Sequence, residues 1–157
     1  MTTTPIFCFD MDGTIADLYA VENWLDNLRA FSARPYAEAA PMMNFSALAR
    51  QLNAAQRKGA KLVIISWASK CSNDDFDAAI REAKTAWLAA HLPSVRWDEI
   101  HVVPYGTNKA EVCGVSGKNF FLFDDEERNQ EDWEDLNGMA FNPSDITEIL
   151  KHFNRGR

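Results

Sequence analysis

Ile6-Phe7-Cys8-Phe9-Asp10-Met11-Asp12-Gly13-Thr14 is the stretch that decides the fold. Four consecutive apolar residues with no alternation describe a strand buried on both faces, the pattern of a parallel sheet rather than of a solvent-facing hairpin. The run stops at Asp10, and Asp12 follows two positions later, so in extended chain both carboxylates project to the same side. Gly13 then permits a sharp turn. Two carboxylates that must both stay ionised at close range need a counter-cation, or one of them keeps its proton. Taken alone, the segment also reads as a strand followed by an ordinary Asp-Gly turn.

Working outward, the same apolar signature recurs. Leu62-Val63-Ile64-Ile65 runs into Ser66, residues 100–103 form a third run, Phe120-Phe121-Leu122-Phe123 runs into Asp124-Asp125, and Met139-Ala140-Phe141 after Gly138 is a weaker fifth. Between the first two runs, Phe45, Leu48, Ala49, Leu52 and Ala55 recur at helical spacing, and Gly59 supplies a left-handed stop. A second helix starts at a Ser72 or Asn73 cap, buries Phe76, Ala79, Ile80, Ala83 and Trp87, and ends before Pro93. A last one opens at Pro143-Ser144 with Ile146, Ile149, Leu150 and Phe153 on one side. Strands alternating with helices imply right-handed crossovers and a Rossmann-like three-layer α/β/α sandwich around a five-stranded parallel sheet. Residues 16–43 are left over, carry Tyr19, Trp24, Phe31 and Tyr36, and are expected to form a small helical insertion over the carboxyl edge of the sheet.

With 157 residues the chain is expected to be one domain spanning 1–157, with its own core. Hydrophobic residues at 46% and charged residues at 25% exclude a disordered, collagenous or disulfide-scaffold class. No apolar run reaches the ~18–20 residues of a membrane span, and the first residues carry no basic leader. Cys8, Cys71 and Cys113 lack CxxC spacing and His91, His101 and His152 form no close pair, which points to reduced thiols in a cytoplasmic setting and to no zinc site. The net charge of −7 is local: residues 124–135 hold eight acids and one base, while the other 15 acids balance the other 15 bases. A long polynucleotide is disfavoured by that segment, since each of its phosphates meets the repulsion.

Three residues at the ends of other strands join the first pair. Ser66 offers a hydroxyl, although a turn or cap is its commoner role. Lys109 sits at a helix start, where a cation opposes the helix dipole and wants an anionic partner; a solvated surface lysine is the plainer reading. Asp124-Asp125 closes the fourth strand, or simply opens a solvated acidic loop. In an open parallel sheet all these ends share one edge, and carboxylates, a hydroxyl and a lysine in one crevice describe a magnesium and phosphate site.

Asp10-Met11-Asp12-Gly13-Thr14-Ile15, Ser66, Lys109 and Asp124-Asp125, in that order and context, resemble the four motifs of the haloacid dehalogenase superfamily in its aspartate-nucleophile phosphatase branch, over about residues 5–142. The resemblance implies a strand order of 5-4-1-2-3 and a two-step phosphoryl transfer: Asp10 as nucleophile, Asp12 as acid and then base, and Ser66 and Lys109 stabilising the transferring group. It further implies that Gly13, Thr14, Ser66 and Lys109 hold substrate. Asp10, the Asp12 backbone carbonyl and Asp124 would hold Mg²⁺, with Asp125 beside them. Asp12 argues against a dehalogenase, which has no use for that acid. Ala16-Asp17 and the insertion are similar to 5'(3')-deoxyribonucleotidases, so the expected partner is a small phosphorylated substrate such as a nucleotide. The four aromatics of the insertion read as core packing ahead of base stacking. Lys70 and Arg128-Asn129 read as surface residues ahead of phosphate contacts. A polynucleotide end or a phosphoprotein is the alternative substrate, and a non-catalytic binding module is the alternative class.

Overall fold

The computed structural model describes residues 4–156, so the outermost residues of the expected 1–157 span lie outside it. The five apolar runs are strands: β1 (Ile6–Phe9), β4 (Lys61–Trp67), β5 (Glu99–Val103), β6 (Phe120–Phe123) and β7 (Met139–Phe141). They pair in parallel as β5-β4-β1-β6-β7. Numbered along the chain within this sheet alone, and read from β7, that order is 5-4-1-2-3. Phe9 is level with Ile64 on one side and Phe123 on the other, so Asp10 and Asp124 leave the sheet side by side. The Asp10 amide still donates to the Phe123 carbonyl at 3.0 Å.

Alternation along β1 sends its side chains to opposite layers. Phe7 and Phe9 pack with α3 (Phe45–Arg57), α4 (Asp74–His91) and α7 (Ile146–Arg155) through Leu48, Leu52, Trp87, Leu88, Ile146 and Leu150. Cys8 faces the other way, toward α5 (Lys109–Val112) and α6 (Glu127–Asp135), through Ala110 and Trp133. The Asn44 and Asn73 side chains cap α3 and α4 by accepting from the Ala47 and Phe76 amides.

Two features depart from expectation. The insertion is not purely helical: α1 (Trp24–Arg29) and α2 (Arg34–Glu38) lie between β2 (Ala16–Asp17) and β3 (Ala40–Pro41), which pair as a short antiparallel ribbon. Strands of two residues are too short to show any alternation. The acidic stretch after Asp124 is also a helix, α6, because Trp133 and Asn129 turn inward while the acids keep to the outer face. Among the described residues no helix is long and apolar enough to cross a membrane.

Candidate active site

The turn after β1 is tight: the Met11 carbonyl accepts from the amides of Thr14, Ile15 and Ala16. Gly13 sits in it at φ +79°, and a Cβ there would fall 2.4 Å from Asp125 Oδ2. That is the left-handed region glycine enters without steric cost, and here the absent side chain also lets the Asp125 carboxylate approach. The turn brings Thr14 back beneath Asp10, whose Oδ2 accepts from the Thr14 hydroxyl at 2.9 Å; the same hydroxyl lies 3.3 Å from Asp125 Oδ1.

Lys109 begins α5 and is 1% exposed. Its ammonium donates to Asp10 Oδ1 at 2.9 Å and to Asp124 Oδ2 at 2.7 Å. Burial pushes the lysine toward losing its proton, but the two carboxylates more than reverse this and hold it above its ordinary range. Asp124, itself fully buried, also accepts from the Glu126 amide at 2.9 Å and the Asn129 side chain at 3.1 Å. Asp10, Asp124 and Asp125 can each present an oxygen within 4.8 Å of the others.

One lysine does not neutralise three carboxylates. Burial, together with the charge of Asp10, raises Asp124 to about 6 and Asp125 to about 7. A set of hard oxygen donors carrying surplus negative charge, with a glycine cradle admitting the third, fits a divalent cation such as Mg²⁺.

Asp12 points elsewhere. Its Oδ2 accepts from Lys84 at 2.8 Å, and burial, only partly opposed by that lysine, raises its pKa. The Asp12 side chain is therefore not part of the three-carboxylate cluster. Ser66 is fully buried, and its hydroxyl accepts from the same ammonium at 2.6 Å.

A crevice of about 270 Å³ opens above these groups. Asp10, Asp12, Lys109, Asp124 and Asp125 line its floor; Tyr19, Trp24 and Tyr36 of the insertion form one wall, and Trp67, the last residue of β4, and Tyr105, just beyond β5, form the other. Tyr19 meets Trp24 edge-on at 5.0 Å between ring centres, and Trp67 meets Tyr105 at 4.9 Å. Of the residues expected to hold substrate besides Lys109, Thr14 and Ser66 are fully buried and do not line the crevice, whereas Gly13 is partly exposed and lies against Asp125 and Tyr19, which do. Phe31 does not line the crevice either but packs edge-on against Phe76. Tyr36 is at once core and wall, at 4% exposure.

Three residues outside the strand-end motifs belong to the site: Lys70, an exposed lysine that lines the crevice, Asn129 and Lys84. Asn129, whose place in the acidic run reads as surface, is 2% exposed and donates to Asp124. Lys84 stands one turn after Ile80, within the apolar stripe of α4, and a charge in such a stripe is the one sequence signal that marks it.

No family model and no curated protein sequence matches the chain. Its fold is similar to the D,D-heptose 1,7-bisphosphate phosphatase from Burkholderia thailandensis, at 14% identity and a TM-score of 0.60, over 96% of this chain and 98% of that one. It is likewise similar to a haloacid dehalogenase-superfamily hydrolase from Ehrlichia chaffeensis, at 10% identity and a TM-score of 0.51, over 98% and 99%. The chain thus has the haloacid dehalogenase-type fold.

Proposed function

We propose that this protein is a Mg²⁺-dependent phosphomonoesterase working through an aspartyl phosphate on Asp10. One observation carries the reading: Asp10, buried at the carboxyl end of β1, is held between Lys109 and Thr14 on the floor of an open crevice, with two further carboxylates beside it. Anchoring both oxygens fixes the nucleophile against the phosphorus it attacks, so little orientational entropy remains to be lost. Lys109 adds positive charge where the transferring group gathers negative charge. Asp12, held above the ordinary carboxylate range, supplies a proton to the departing oxygen and then accepts one from the water that cleaves the intermediate. A divalent cation held by Asp10, Asp124, Asp125 and the Asp12 backbone carbonyl would supply the charge that lets an anionic ester approach an anionic nucleophile.

The substrate class we infer is a small phosphate monoester, a nucleoside monophosphate first among them. Paired aromatic rings on both walls suit a planar base, the crevice has small-molecule dimensions, and the acids of α6 disfavour a long polyanion. Three free thiols support a reducing, cytoplasmic setting.

Asp10→Asn, nearly unchanged in volume, is expected to lose turnover of nucleoside monophosphates while its thermal melt stays near that of the parent. Chelation is expected to silence the parent, and added Mg²⁺ to restore it. Near-parental activity of Asp10→Asn overturns the nucleophile. A tenfold or greater preference in kcat/KM for oligonucleotides bearing a terminal phosphate, about 1.4 kcal/mol, moves the substrate to polynucleotide ends.

A further inference from the structure

Lys84 stands in the middle of α4, 1% exposed, in a stripe otherwise formed by Phe76, Ile80, Trp87 and Leu88. Burying an ammonium is costly unless it is fully partnered, so a lysine here needs a reason that the packing of α4 does not provide. The partners are complete. A lysine has three N–H donors, and Lys84 reaches three acceptors: Asp12 Oδ2 at 2.8 Å, Ser66 Oγ at 2.6 Å and the Trp67 carbonyl at 2.7 Å. The ring of Tyr36 lies 4.6 Å from the same nitrogen. Lys84 does not line the crevice, whereas Asp12 and Trp67 do. It therefore meets the chemistry only through the groups it holds. The two buried lysines divide the carboxylates, Lys109 taking Asp10 and Asp124, and Lys84 taking Asp12.

We propose that Lys84 is a positioning residue that anchors Oδ2 of Asp12 to the end of β4, so that Oδ1 exchanges the proton with the leaving oxygen. This rests on the phosphomonoesterase reading above. Without the anchor the carboxyl group swings within the turn and is seldom aligned when the ester bond breaks. The balance of the step is simple: the P–O bond to the leaving group breaks as the Asp10–phosphorus bond forms, and the leaving oxygen takes the Asp12 proton. An aryl leaving group such as p-nitrophenolate departs as a stabilised anion and needs that proton little; an alkoxide needs it much.

The test compares kcat/KM, which reports the first bond-breaking step, for p-nitrophenyl phosphate and for an alkyl phosphate such as glycerol phosphate. Asp12→Asn is the reference for loss of the acid. Lys84→Met, close in volume, is expected to lose at least tenfold more on the alkyl ester than on the aryl ester, in the pattern of Asp12→Asn. Equal losses on both esters, or none, overturn the assignment, since a merely structural lysine has no means of telling leaving groups apart. If Lys84→Met does not melt cooperatively, Lys84→Gln, which keeps an N–H donor, carries the same comparison; unfolding of both makes Lys84 a folding residue and overturns the proposal. Asp10→Asn separates the two levels: near-parental turnover there defeats the aspartyl-phosphate reading on which this proposal rests, whereas a silent Asp10→Asn beside an indifferent Lys84→Met defeats only the role of Lys84.

Discussion

At the scale of single residues, the site depends on close approaches that individual side chains allow or prevent. Gly13 is the plainest case. Alanine there would place a methyl carbon 2.4 Å from Asp125 Oδ2 and 2.9 Å from the ring of Tyr19, in a backbone conformation that L residues enter at a cost of about 1–3 kcal/mol. The Asp125 carboxylate is the part that would yield, so Gly13→Ala is expected to raise the Mg²⁺ concentration needed for half-maximal activity by tenfold or more and to lower the melting temperature. A Mg²⁺ titration of activity unchanged from the parent would show that Asp125 does not serve the cation. Asp10, Asp12, Lys109 and Asp124 are legible in the sequence because each stands at the edge of a recognisable element. Asn129 is not, because its meaning lies in Asp124, five residues back across a turn, and nothing in the run of acids around it separates an inward amide from a solvated one.

At the scale of elements, α6 is the one the sequence obscured. Eight acids over residues 124–135 resemble a solvated loop, yet residues 127–135, with five of those acids, fold as a helix because one large side chain anchors it. Trp133 is fully buried, its Nε1 donates to the Phe120 carbonyl at 3.1 Å, and Gly138 leaves the space its ring needs. Trp133→Ala is expected to cost about 3–5 kcal/mol, the range for emptying an aromatic site in a core, read as a lower denaturation midpoint. Because α6 also brings Asn129 to Asp124, activity should fall with it. A loss below about 1 kcal/mol would show that α6 is held by its outer contacts instead. The apolar strands and α3, α4 and α7 were legible because their periodicity is local; the β2–β3 ribbon was not, being shorter than any period.

At the scale of the whole molecule, one edge of the sheet gathers three carboxylates around a single buried lysine. Asp124 and Asp125, with pKa values raised from 3.8 to about 6 and about 7, bind protons more tightly folded than unfolded. The stability they contribute is fully present below the unfolded value and is lost as pH rises through about 6 to 7. With chelator, the melting temperature is therefore expected to fall by about 5 °C between about pH 5 and pH 8, and Mg²⁺, which binds the ionised form, to restore most of it at the upper end. A chelated protein that melts higher at pH 8 than at pH 5 would overturn this account. Local pattern alone gives the five strands, their parallel sheet and the edge at which Asp10, Asp12, Lys109 and Asp124 gather, since apolar runs and strand ends are encoded by neighbours along the chain; the order of the strands came only with the resemblance of the motifs. Only the tertiary structure decided which charges are paired: Lys109 with Asp10 across 99 residues, Lys84 with Asp12 across 72, and Ser66 beneath the floor rather than in the crevice. The reason is physical: a buried ion pair is defined by the water both partners lose, and that loss happens only when the elements carrying them come together.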